Sequence, residues 1–169
     1  MNIRSLLIVS LFFLVLYSSK KGDVVADNNP PGGTTISYNI NKTTLLGLVN
    51  DIRKSGCTCG TTMMPAVAAI SWNDQLAKVA YDHSKDMQQN NYFSHTGLDG
   101  SSPGARITAG GYSWKTFGEN IAVGYSTEQA VMNGWLGSEG HCKNIMNGAF
   151  KEMGAGREGN YWTQVFGSK

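Results

Sequence analysis

Met153-Gly154-Ala155-Gly156-Arg157-Glu158-Gly159-Asn160-Tyr161-Trp162-Thr163-Gln164-Val165-Phe166-Gly167 reads as two strands, Met153 to Arg157 and Tyr161 to Gly167, folded back on each other across Glu158-Gly159-Asn160. Gly and Asn tolerate the positive φ of a tight hairpin turn, and Tyr, Trp, Thr, Val and Phe suit a pleated strand. Working outward, Ile121, Val123 and Tyr125 alternate after Glu119 and predict another strand. Ser126-Thr127-Glu128-Gln129 is a capping box, opening a helix on which Val131 and Trp135, and Met132 and Leu136, pair at i,i+4. Leu76, Val79, Ala80, His83 and Met87 form the apolar stripe of a helix that begins near Ser71 to Asn73. Leu45, Leu48, Val49 and Ile52 predict an earlier helix from near Thr43 to Lys54, capped by Asn41 or Thr43 and ended by Gly56. Cys57 to Met64 reads as a loop, and Pro65 to Ile70 as a short extended piece or a buried loop. Ser94 to Gly111 reads as one long turn-rich loop, and Asn144 to Met146 as one further helical turn. Interleaved helices with hairpin-joined strands imply an α+β fold, a small antiparallel sheet covered by helices.

The 169 residues fit one domain behind a leader. Residues 1–26 have the signal-peptide pattern: Arg4, an apolar run from Leu6 to Tyr17, and Val24-Val25-Ala26 as a small-residue cleavage site. No cysteine follows the run to accept a lipid, so no stable membrane anchor is expected after cleavage; an uncleaved anchor is the alternative. Residues 27–40, with Pro30-Pro31-Gly32-Gly33, read as a linker, and 41–169 as the domain. The chain is therefore expected to be secreted, to the periplasm, the cell surface or the medium. Without Arg4, Lys20, Lys21 and Asp23 it carries 11 basic and 11 acidic residues. That neutrality, with no basic run, argues against nucleic acid as a partner. Cys57 and Cys59 are too close for an easy mutual bridge, so Cys142 is expected to pair with one of them in an oxidising compartment. The alternative for the three sulfurs is a thiolate metal site, for which no fourth ligand is evident.

Three segments each put a titratable side chain beside Gly, Asn or Ser at the edge of an element: Phe93-Ser94-His95, Gly118-Glu119-Asn120-Ile121, and Gly140-His141-Cys142-Lys143-Asn144. They read as one converging polar site. His95 can serve as acid, base or ligand. Glu119 can orient it, or simply anchor backbone. His141 reads as lying on a turn after a helix C-terminus, where a cation is favoured. Ser138 and Tyr161 offer hydroxyls to the same cavity. Asn120 reads as tying down backbone, His83 as a core histidine, and Trp72, Trp135 and Trp162 as core. Trp114 is expected to be the exposed tryptophan.

Taken in order, His83-Ser84-Lys85-Asp86-Met87, Phe93-Ser94-His95-Thr96, Gly118-Glu119-Asn120-Ile121, Trp135 with Gly140-His141 and Asn144-Ile145-Met146, and Tyr161-Trp162-Thr163-Gln164 resemble the CAP superfamily. This superfamily comprises cysteine-rich secretory proteins, antigen 5 and plant pathogenesis-related proteins. The likeness runs from about Leu45 to Gly167 and is nearest to the bacterial SCP-like branch. It implies a secreted α-β-α sandwich. In eukaryotic members a central cavity carries two histidines and two acids. The resemblance places His95 at the first histidine and Glu119 at the first acid. Ser138 stands at the second acid's position and Tyr161 at the second histidine's. His141 fits a Gly-His of bacterial members, while Glu139 and Cys142 stand where many of those have Pro and Arg. Half of the tetrad thus carries over, and His95 with His141, joined by Glu119, would be the zinc ligands if a metal binds.

The function expected first is a binding or interaction module whose polar cavity takes a divalent metal, a lipid, a peptide or a cell-surface component. A structural cell-surface domain is second. A metal-assisted hydrolase is third, because there is no H-E-x-x-H, no nucleophile elbow and only half a tetrad.

Overall fold

The computed structural model describes residues 38–169. In chain order these form α1 (Lys42–Ser55), β1 (Cys57–Cys59), β2 (Thr62–Met64), β3 (Ser71–Trp72), α2 (Asp74–Asn90), α3 (Pro103–Ala109), β4 (Thr116–Val123), α4 (Glu128–Leu136), α5 (Glu139–Ile145), β5 (Glu152–Glu158) and β6 (Tyr161–Ser168). The signal-peptide expectation and most of the linker lie outside the described residues. The last linker residues are docked on the domain, the Tyr38 carbonyl accepting from the Arg157 N–H at 2.9 Å.

A four-stranded sheet in the order β3-β5-β6-β4 is the middle layer. The predicted hairpin is its centre: β5 and β6 pair antiparallel with Glu158 opposite Tyr161, and Gly159 takes φ 55° in the turn. β4 pairs antiparallel with β6 along its whole length and forms one edge. β3 departs from the expected all-antiparallel sheet. It pairs parallel with β5, which the long connection through α2, α3, β4, α4 and α5 permits.

The alternation of β5 and β6 divides the core into two layers, because successive side chains point to opposite faces. Met153, Ala155, Trp162 and Phe166 join Leu45 and Val49 of α1, Val131, Met132 and Trp135 of α4, and Ile145 of α5. Val165 joins Leu76, Val79 and Ala80 of α2 with Ile107 of α3. Helices on both faces of one sheet make the α-β-α sandwich. On the α2 side β5 carries Gly154 and Gly156. A Cβ at Gly154 would lie 2.0 Å from the Ala77 nitrogen, and one at Gly156 2.4 Å from the Tyr81 Cα. The missing side chains let the helix backbone rest on the strand. Ser84 of α2 completes the contact, donating to the Gly156 carbonyl at 3.0 Å and lying 2.8 Å from the Thr163 hydroxyl.

The α2 stripe of Leu76, Val79, Ala80, His83 and Met87 is buried as its spacing predicts, and α1 is capped by the Asn41 side chain. Three sequence expectations are corrected. Cys57–Met64 is a hairpin of β1 and β2 rather than a loop. The loop expected over Ser94 to Gly111 contains α3, started by the Ser102 side chain with Pro103 in its first turn, where a missing N–H costs nothing. The single turn expected at Asn144 to Met146 is α5, which already begins at Glu139.

Arg53, whose position in the sequence carries no local mark, is wholly buried. Its guanidinium donates to the carbonyls of Ala68 (2.9 Å), Ile145 (2.7 Å), Asn147 (3.0 Å) and Phe150 (3.2 Å). Burial lowers its pKa. One side chain thereby joins α1 to the segment before β3 and to the chain leaving α5.

Candidate functional site

The edge strand β4 organises the site. Glu119 is buried at 7% exposure, and both of its oxygens are engaged. Oε1 lies 2.8 Å from His95 Nδ1, and Oε2 accepts from Arg106 Nη2 at 2.8 Å. His95 stands on the loop that leaves α2 through Asn91, whose φ of 53° turns the chain off the helix. Its side chain is half exposed. With Nδ1 turned to the carboxylate, Nε2 is the ring nitrogen left for a ligand, the arrangement by which a carboxylate fixes a histidine's orientation. Arg106 comes from α3 and also donates to the Ser101 carbonyl at 2.9 Å, so the loop, α3 and β4 are cross-linked through one guanidinium.

His83 holds the loop from below. It is buried, and its Nε2 lies 2.9 Å from the Ser94 carbonyl, which can only accept, so Nε2 carries the proton. Nδ1 is buried without a partner. The core reading of His83 is met, with a positioning role for His95 added.

On the other face of β4, Asn120 donates to the Gln164 side chain at 3.0 Å and to the His141 carbonyl at 3.2 Å. Asn144 of α5 donates to the Asn120 side chain at 2.9 Å and to the Glu119 carbonyl at 3.1 Å. This network sets α5, and with it His141, against the strand. It also explains Gly118, where a Cβ would lie 2.8 Å from the Phe150 ring and 3.3 Å from Asn144 Oδ1. His141 lies in the first turn of α5 rather than after a helix C-terminus as expected. Burial first, and then the charge of His95, hold its pKa below the ordinary 6.5.

Beside this ionic chain is a cavity of about 260 Å³ lined by residues that include Phe93, Ile121, Tyr125, Trp135, Ser138 and His141. Ser138 is at the N-cap of α5, and its side chain makes no cap bond. Tyr161 is not among the lining residues; its ring centroid lies 6.4 Å from that of Phe93, which does line the cavity. The structure thus joins His95 to Glu119 and places Ser138 and His141 in one cavity, with Tyr161 outside its lining.

The profile of the CAP family, described as the cysteine-rich secretory protein family, matches residues 46–166. The chain belongs to the CAP family. Two Bacillus subtilis proteins are similar to it. The uncharacterized protein YkwD is 43% identical over 96 residues, 56% of this chain and 37% of YkwD. The uncharacterized membrane protein YlbC is 40% identical over 100 residues, 59% of this chain and 29% of YlbC. The crystal structure of an extracellular SCP-domain protein from Bacillus anthracis superposes with a TM-score of 0.68 at 37% identity, covering 75% of this chain and 40% of that one. This chain therefore spans well under half the length of these relatives. Among its described residues no helix is long and apolar enough to cross a membrane.

The CAP tetrad is incomplete here in space as well as in sequence. Glu119 is saturated by His95 and Arg106, and Ser138 and Tyr161 supply no carboxylate or imidazole. Among the described residues the only three metal-ligating side chains that converge are Cys57, Cys59 and Cys142. The cavity residues do not fit a caged zinc of the tetrad type. Arg106 is the site residue that sequence reasoning missed. Its signal lay within the segment read as one long turn-rich loop: Ser102 as a cap followed by Pro103 at the first helical position.

Two histidines, His83 buried and His141 half-buried, make stability depend on pH. Burial is the leading cause of a lowered pKa at both His83 and His141. The unfolded chain then binds more protons than the folded one below about pH 6.5. Their contribution is complete above that pH and is lost as pH falls toward the folded-state values. Urea midpoints at about pH 7.5 and about pH 5.5 are expected to show the lower midpoint in acid. His83→Asn is expected to flatten the dependence, and equal slopes for variant and wild type would refute the role of His83.

Proposed function

We propose that this CAP domain is a secreted binding module whose ligand is small and amphipathic, its polar group meeting His95 Nε2 and His141 and its apolar part entering the cavity of Phe93, Tyr125 and Trp135. The observation that carries this reading is the chain Arg106–Glu119–His95. A buried carboxylate held by a guanidinium fixes one face of a half-exposed imidazole, beside an apolar cavity that contains a second histidine. A site that only stabilised loops would gain nothing from leaving that imidazole half in solvent. The extracellular Bacillus anthracis relative supports the secreted location.

Octanoate and a capped phenylalanine dipeptide are suitable probes, because Trp135 lines the cavity and reports occupancy by fluorescence. A hydrogen bond to a charged group contributes about 1.5–3 kcal/mol. His95→Ala is therefore expected to weaken binding by roughly 10- to 100-fold. Glu119→Gln should weaken it in the same direction by releasing the imidazole. Zinc chloride is the parallel arm, and sub-micromolar binding abolished by both His95→Ala and His141→Ala would replace the organic ligand with a metal. The internal satisfaction of Asn120 and Asn144 favours an architectural role as the second reading. That reading wins if His95→Ala lowers the melting temperature while no probe binds the wild type.

A further inference from the structure

Away from the cavity, β1 places Cys57 and Cys59 two residues apart, hence on one face of the strand, with Thr58 exposed on the other. That face meets Cys142 of α5. The structure joins Cys59 to Cys142 across 83 residues and leaves Cys57 free and half-buried, which settles the expected alternatives for the bridge. The free thiol is not remote from the bridge. Its Sγ lies 3.9 Å from that of Cys59 and 3.7 Å from that of Cys142.

These spacings have a chemical meaning. Four ligands at the usual zinc–thiolate distance of about 2.3 Å define a tetrahedron whose edge is about 3.8 Å. Two of the three sulfur–sulfur edges already have that length. The third is the disulfide, and with its Cα atoms 5.5 Å apart the two sulfurs can separate by rotation about Cα–Cβ once the bond opens. Soft thiolates select soft or borderline cations such as zinc or cadmium. Among the described residues no histidine or carboxylate joins the three sulfurs, so the chain itself offers three of the four ligands.

We propose that Cys57, Cys59 and Cys142 form a redox-gated site for one thiophilic divalent cation, closed by the disulfide and opened by its reduction. A dithiol gives two electrons and two protons to the Cys59–Cys142 bond and leaves as a cyclic disulfide. The three thiols then release their protons to solvent as the cation binds. A disulfide oxidant of the glutathione type takes the two electrons and leaves as two thiols with two protons from solvent, so the Cys59–Cys142 bond re-forms, two ligands are lost and the ion is ejected. Cys57, whose thiol burial pushes toward its protonated form, is stabilised as a thiolate only while the ion is present.

The test uses the full chain, reduced with a phosphine that is then removed without air, and titrated with cadmium chloride. The thiolate-to-cadmium absorption in the ultraviolet reports sulfur ligation alone, so it is blind to His95 and His141. One ion per chain is expected, with the intensity of three thiolates and no signal from the oxidised protein. Cys57→Ser should keep two-thirds of the intensity. Losing even an outer-shell partner weakens metal binding about 10- to 100-fold, so losing this direct ligand should cost at least that. Should reduction unfold the chain, added cadmium is expected to restore its native circular dichroism. The proposal is overturned if the reduced chain shows no such absorption, if Cys57→Ser matches the wild type, or if cadmium fails to restore a reduced, unfolded chain.

Discussion

Arg53→Ala is expected to lower the unfolding free energy by more than about 3 kcal/mol, because it strips donors from buried carbonyls at about 1–3 kcal/mol for each group left unpaired. The four carbonyls belong to Ala68, Ile145, Asn147 and Phe150, in two segments that this one guanidinium ties to α1. Total stabilities of about 5–15 kcal/mol make this a large fraction of the whole. Arg53→Lys is expected to recover little. An ammonium is a compact donor and cannot span acceptors that a planar fork reaches on several sides. Urea unfolding of the three proteins measures this. A loss under about 1 kcal/mol for Arg53→Ala would mean that water enters and satisfies the carbonyls.

Gly154→Val is expected to be as damaging for a different reason. Its Cβ would lie 2.0 Å from the Ala77 nitrogen and 2.6 Å from the Ala77 Cα, and helix backbone cannot move aside as a side chain can. Overpacking costs about 1–3 kcal/mol where side chains yield, and this substitution should exceed that range by lifting α2 from the sheet. Because α2 carries His83 and leads into the His95 loop, the displacement should also weaken probe binding. Gly47→Ala is the control. It sits on α1 with nothing within 4 Å of its new Cβ, and is expected to stabilise by roughly 0.5–1 kcal/mol. Equal melting temperatures for Gly154→Val and wild type would refute the close helix–sheet contact.

The parts of this fold that were legible in the sequence are those with an unbroken period. The α2 stripe, the i,i+4 pairs of α4 and the β5–β6 hairpin each extend over enough residues to declare their type, whereas the capping box expected from Ser126 to Gln129 is a simple cap, Thr127 accepting from the Ala130 N–H while Gln129 donates to the Asn133 side chain. α3 and α5, with 7 residues each, are too short to show a period. β1 and β2 are shorter still, and only their pairing makes them strands. Their starts are marked by caps and proline, signals that also open turns. At the site, His95, Glu119 and His141 stood out because titratable groups beside Gly, Asn and Ser are conspicuous. Arg106 did not, since an arginine after a turn signal resembles any solvated one until its partner across the fold is known. Arg53 was illegible for a related reason: its spacing continues the apolar face of α1, and nothing local shows that carbonyls from two distant segments will converge on it. Trp114, 38% exposed, was readable from its polar neighbours.

The Cys59–Cys142 bond also acts as a bracket around the middle of the chain. Residues between the two cysteines include α2, α3, β4 and α4, and among them the turn at Leu98-Asp99-Gly100, where Leu98 is 65% exposed. Exposed turn tips are where proteases cut first. A chain severed there stays one covalent molecule, with the imidazole loop on one piece and its carboxylate partner Glu119 on the other. Such a protein keeps its full mass until a reductant is added and separates into two fragments afterward. An intact band on a non-reducing gel therefore reports the oxidation state of two sulfurs rather than the continuity of the backbone.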